Sequence, residues 1–86
     1  MTINIQGMNG SNSYSPNPMT VQVGQQVRWR NTDNLSHTAT QNGSGFNTGL
    51  IAPGGTSAPI TFNTPGAFGY HCTPHPSMVG TINVVP

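Results

Sequence analysis

Charge is almost missing from this chain. Arg28, Arg30 and Asp33 are its whole inventory of charged side chains, 3% of 86 residues, against about 25% in an average soluble domain. There is no Lys and no Glu. Two arginines cannot form the clustered basic footprint that nucleic acid requires, so a nucleic-acid partner is excluded. A single cysteine, Cys72, rules out an intramolecular disulfide. No apolar run approaches the ~20 residues of a membrane span. No charged segment followed by an apolar stretch opens the chain, so no leader of the secretory kind is expected within it. Helical periodicity is absent too. With apolar residues at 33%, one small core is the most this chain can build, and residues 1–86 read as a single domain. Solubility rests on Asn, Gln, Ser and Thr.

What is present alternates with period two. Ile3 and Ile5 alternate with polar neighbours, as do Met19, Val21 and Val23, then Val27 and Trp29. Ile60 and Phe62, Phe68, Tyr70 and Cys72, and finally Ile82 and Val84 continue the pattern. His37–Thr40 is a further short strand candidate. Eleven Gly and eight Pro punctuate these runs. Short half-buried strands with frequent turns predict an all-β sandwich or barrel. The stretch from Gln41 to Ala58 is the exception, too long for a structureless loop in a compact domain. It is expected to be an irregular edge strand or a packed loop pinned by Phe46 and Leu50. Gly54-Gly55 marks a turn and lacks the Lys and helix of a phosphate-binding loop.

The densest chemistry lies in Tyr70-His71-Cys72-Thr73-Pro74-His75-Pro76-Ser77-Met78. Alternation puts Cys72 on the core face with Phe68 and Tyr70, and His71 on the opposite face, which sets His71 aside. Pro74, with a fixed φ and no N–H, forces the chain out of pairing and can return His75 toward the cysteine sulfur. Met78 follows three residues later. This C-x₂-H-x₂-M spacing delivers thiolate, imidazole and thioether from one loop. As a zinc site it lacks a second cysteine and would use a thioether. His37 is the remaining histidine, and it completes a His₂CysMet set, the donor set of a blue-copper centre. The metal residues read from the sequence are His37, Cys72, His75 and Met78, with copper as the cofactor.

These motifs resemble the cupredoxins of the plastocyanin and amicyanin type, and the Tyr-His-Cys-Thr-Pro-His-Pro-x-Met loop is most similar to amicyanin. The resemblance extends through Pro16–Val23, Gly24, Val27-x-Trp29-x-Asn31-x-Asp33 with His37, and Phe46-x-Thr48-Gly49-Leu50 with Pro53-Gly54. It closes on Phe62, Pro65-Gly66 and Val79-Gly80-Thr81-Ile82. It implies a Greek-key β-sandwich of about seven to eight strands with copper near one end. Under it His37, Cys72 and His75 are equatorial ligands and Met78 the weak axial one. The resemblance departs at Thr38, where relatives often have Asn, and at Ser77, where amicyanin-like loops carry a larger apolar residue. The backbone N–H of Thr38 is still expected to reach the thiolate.

Function follows from the same residues. The chain is expected to be a small soluble electron carrier and not an enzyme, monomeric, and periplasmic or extracellular after removal of a leader. Redox partner proteins would dock transiently near His75, within a neutral rim of Pro74, Pro76 and Met8. The alternative is capture or delivery of Cu(I)/Cu(II) by the same ligands. A thiol enzyme with Cys72 and His75 as nucleophile and base is disfavoured for want of an orienting acid, since Asp33 is the only carboxylate side chain.

Overall fold

The computed structural model describes all of residues 1–86. Eight strands form: β1 (Thr2–Ile5), β2 (Tyr14–Ser15), β3 (Met19–Gln22), β4 (Gln26–Asn31), β5 (Thr40–Gln41), β6 (Ile60–Thr61), β7 (Gly66–His71) and β8 (Val79–Val85). One turn of 3₁₀ helix, Gly10–Asn12, is the only helical segment. The strands make two four-stranded sheets, in the orders β2-β1-β4-β6 and β3-β8-β7-β5. The fold is an all-β sandwich of eight strands, at the upper end of the number expected.

Both sheets are mixed. β1 runs parallel to β4, from Thr2 opposite Arg28 to Ile5 opposite Asn31. β3 runs parallel to β8, and β7 antiparallel to it. The period-two pattern decides which side chains meet. Ile3, Ile5, Val27 and Trp29 from the first sheet face Val21, Tyr70, Ile82 and Val84 from the second, in one core of buried residues. Each such side chain contributes about 1.5–3 kcal/mol on full burial. Aromatic rings fill the middle. Trp29 stacks on Phe46 at 5.5 Å and meets Tyr70 edge-on at 5.4 Å, while Tyr14 meets Tyr70 edge-on at 4.7 Å. Gly80 lies directly across from Tyr70 in the β7–β8 ladder. A Cβ there would run into the Tyr70 ring, so glycine is what lets the ring cross β8.

Three expectations change on folding. Val23 lies beyond the end of β3 and is exposed, because the chain turns at Gly24 with φ +93°. Of the His37–Thr40 candidate only Thr40 joins a sheet, as the first residue of β5; His37 makes an isolated bridge to Ile51 instead. In the 41–58 stretch Phe46 does pack on the core, but Leu50 is 70% exposed. Its neighbour Ile51 is the buried anchor, held by paired backbone hydrogen bonds with His37 of 3.2 and 2.8 Å. Adjacent residues in extended chain face opposite ways, so the bridge that turns Ile51 inward turns Leu50 out.

Candidate metal centre

The loops leaving β4 and β7 meet at one end of the sandwich. The first is shaped by Asn31, the last residue of β4 and fully buried. Its side-chain amide donates to the carbonyls of Leu35 (2.7 Å) and Ile51 (2.9 Å), and its Oδ1 accepts from the Asp33 N–H (3.0 Å). One amide thus folds 31–37 back on itself and ties it to the Ile51 segment. Asp33 and His37 are brought within reach of each other.

The second loop closes on its own ligand candidates. The His75 N–H donates to the Cys72 carbonyl (3.2 Å), the Met78 N–H to the His75 carbonyl (3.0 Å), and the Cys72 N–H to the Met78 carbonyl (3.1 Å). Prolines at 74 and 76 have no N–H to compete for these acceptors. Cys72 and Met78 are fully buried, and His75 is half-buried.

Three donor atoms converge between the loops. The Cys72 Sγ lies 3.6 Å from His37 Nδ1 and 3.7 Å from His75 Nδ1, and the two nitrogens are 3.2 Å apart. A point equidistant from all three lies about 2.0 Å from each, close to metal–imidazole and metal–thiolate bond lengths of about 2.0–2.3 Å. The triangle therefore fits a metal ion, and its one sulfur and two nitrogens suit copper. His37 is set up for this role. Its Nε2 donates to Asp33 Oδ2 at 2.7 Å, which leaves the Nδ1 lone pair facing the sulfur. The same hydrogen bond, with one from the Asn34 backbone, holds the Asp33 carboxyl below its ordinary pKa.

Thr38 ties the two loops together. Its backbone N–H donates to Cys72 Sγ at 3.4 Å, and its Oγ1 accepts from the Thr73 N–H at 2.9 Å. The Thr40 hydroxyl joins those of Thr38 (2.9 Å) and Thr73 (3.0 Å). His71 stands apart on the other face of β7, with Nδ1 2.6 Å from Asn42 Oδ1. The Thr38 N–H thus reaches the cysteine sulfur as expected, and His71 lies outside the donor triangle.

Over residues 1–85 the chain matches the family described as copper binding proteins, plastocyanin/azurin family. It belongs to that family. Its cofactor is copper, and the converging thiolate and imidazoles are where this cupredoxin offers suitable donors. Amicyanin-alpha of Methylorubrum extorquens is 34% identical over 68 residues, 74% of this chain and 57% of that protein. Amicyanin of Paracoccus denitrificans is 30% identical over 80 residues, 83% of this chain and 57% of that protein. The chain spans just over half the length of these curated relatives. A purple cupredoxin from Nitrosopumilus maritimus superposes with a TM-score of 0.85 at 29% identity, covering 98% of each chain. A Cu(I) structure of an amicyanin mutant superposes at 0.84 over 99% of this chain and 81% of that one; at 24% identity it speaks for the fold alone.

Sequence reasoning missed the work of Asp33. Named there as a charge, as part of the Asn31-x-Asp33 pattern and as the lone carboxylate, it is the group that orients His37. Its four-residue spacing from His37, in a chain with no other carboxylate side chain, was the available signal. A thiol enzyme therefore fails for a different reason. An orienting acid exists for the other histidine, but the Cys72 sulfur belongs to a residue with 0% exposure, so no substrate carbonyl can reach it.

Proposed function

We propose that His37, Cys72, His75 and Met78 hold one copper as a type 1 centre, and that the protein is a small one-electron carrier and not an enzyme. The observation that carries this reading is the donor triangle, in which one sulfur and two imidazole nitrogens lie 3.2–3.7 Å apart. Copper, when bound, supplies the Cu(I)/Cu(II) couple. The chain's own residues do the rest. Cys72 gives the thiolate, and burial keeps water from it. Asp33 fixes the tautomer of His37, and Thr38 donates a hydrogen bond to the sulfur. Met78, buried at the loop's end, would supply a thioether as the fourth donor. A site tied down at this many points changes little between redox states, which favours rapid transfer.

His75 is the one member of the triangle with exposed surface, which supports it as the electron's route out. Pro74 and Pro76 are exposed beside it in the chain, and the exposed Leu50 lines a shallow depression with Pro74 and Thr73. This neutral apolar surface suits transient docking of a redox partner protein. A periplasmic or extracellular setting goes with this reading, because a lone thiol in an oxidising compartment is a liability unless a metal holds it. No helix is long and apolar enough to cross a membrane. Delivery of copper is the weaker reading, because His37 and Cys72 are fully buried and offer an acceptor no second foothold.

Addition of Cu(II) to the purified protein is expected to give an intense blue colour with one copper per chain. Cys72→Ser should abolish the colour. A pale wild-type product, or a Cys72→Ser protein that stays blue, would overturn the assignment.

A further inference from the structure

Tyr14 reaches the centre from the far side of the sandwich. It comes from β2, the edge strand of the first sheet, and its ring is buried edge-on against Tyr70. Its hydroxyl donates to the Thr38 carbonyl at 2.6 Å, in a fully buried setting. Thr38 is the residue whose N–H donates to Cys72 Sγ. Neither the family pattern read from the sequence nor the donor triangle includes Tyr14.

We propose that Tyr14 is a positioning residue for the metal centre: by holding the Thr38 carbonyl, its hydroxyl keeps the Thr38 N–H on the cysteine sulfur and so raises the site's reduction potential. This deepens the copper reading above and rests on it.

Thr38 is 4% exposed, so its carbonyl has no ready access to solvent. A buried acceptor deprived of its donor is costly, and the backbone shifts to regain one. The other anchors of Thr38 are its Oγ1, on the Thr73 N–H and the Thr40 hydroxyl, and the next residue's N–H, which donates to Thr48 Oγ1 at 2.9 Å. These lie on the side of the Cys72 loop and the 47–49 segment. Tyr14 alone pulls from the first sheet. Its removal lets the residue rotate about the remaining anchors, and a 3.4 Å N–H···S contact weakens with any such rotation. The phenol is a dependable donor here. Burial, with lesser contributions from Cys72 and Tyr70, pushes its pKa far above the ordinary value, so it stays protonated.

The sign follows from the thiolate. A hydrogen bond withdraws charge from sulfur and disfavours the oxidised metal; losing it lowers the potential. Losing about half of one charge-assisted bond corresponds to a three- to tenfold shift of the redox equilibrium toward Cu(II), about 30–60 mV at 59 mV per tenfold.

The test is voltammetry of the copper-loaded wild type, Tyr14→Phe and Tyr70→Phe. Tyr70 is the control: its hydroxyl is equally buried but makes no hydrogen bond of good geometry. Tyr14→Phe should stay blue with a potential lower by that amount, and Tyr70→Phe should match the wild type. In the copper-free protein, exchange of the Thr38 amide should quicken at least tenfold in Tyr14→Phe. An unchanged potential in Tyr14→Phe, or an equal fall in both variants, overturns the proposal. If the wild type itself is not blue, the copper reading fails instead. Should Tyr14→Phe not fold, 3-fluorotyrosine incorporated into the Tyr70→Phe protein replaces Tyr14 alone while keeping its hydroxyl. Its potential should equal or exceed that of unlabelled Tyr70→Phe, and a fall overturns the proposal.

Discussion

Replacing Asn31 by Ala should remove a large part of this protein's stability through a side chain that touches no metal. Asn31 is fully buried and uses its amide completely: two donations, to Leu35 and Ile51, and one acceptance, from Asp33. Each net hydrogen bond is worth about 0.5–1.5 kcal/mol, so the three together give about 3 kcal/mol. For a domain of this size that corresponds to a fall in Tm of about 12–24 °C. The expected result in urea unfolding of the copper-free protein is a lower midpoint with an unchanged slope, since the area exposed on unfolding hardly alters. Asn34→Ala, at an exposed position in the same loop, is the matched control and should stay within about 0.5 kcal/mol of the wild type. A loss below about 1 kcal/mol in Asn31→Ala would mean that the 31–37 loop is held by something else. It would refute the account of how His37 is delivered.

Other perturbations test the remaining links. Asp33 is the only carboxylate side chain, and its pKa is depressed in the folded state from 3.8 by the His37 hydrogen bond. The stability it contributes is therefore present above about pH 4 and lost as pH falls through the folded pKa. In copper-free protein, urea midpoints between pH 2 and 6 should lose this step in Asp33→Asn; identical profiles would sink the idea. In the copper-loaded form Asp33→Asn should raise the reduction potential, because a negative charge behind His37 favours Cu(II); voltammetry reads the sign. Pro74→Ala should also raise it by restoring an N–H near the thiolate, and no change or a fall would count against that. Electron exchange with a protein partner should depend weakly on ionic strength, since three charged side chains provide little steering. A steep salt dependence in stopped-flow rates would contradict the neutral docking surface.

Much of the architecture was legible because its causes are local. Alternation in Ile3–Ile5, Val27–Trp29, Phe68–Cys72 and Ile82–Val84 marked strands and their inner faces, and the core contains those residues. β2 escaped notice because two residues carry no periodicity, and its tyrosine is buried by contacts from distant strands. Leu50 was misjudged for a related reason. Hydrophobicity marks the stretch as packed, but only the bridge between His37 and Ile51 decides which of two neighbouring apolar residues turns inward.

The sequence by itself determined which candidate donors the chain offers and most of their placement. Cys72, His75 and Met78 fall within seven residues, where two prolines and a strand end leave the backbone few paths. Elimination then supplied His37, the last histidine without a role. Tertiary structure alone decided the rest. His37 is 35 residues from Cys72, Asp33 has to be folded onto it by Asn31, and Tyr14 meets Thr38 across the sandwich. Such contacts depend on which strands pair and in what register. That choice is made by the core as a whole, so no short stretch of chain encodes it.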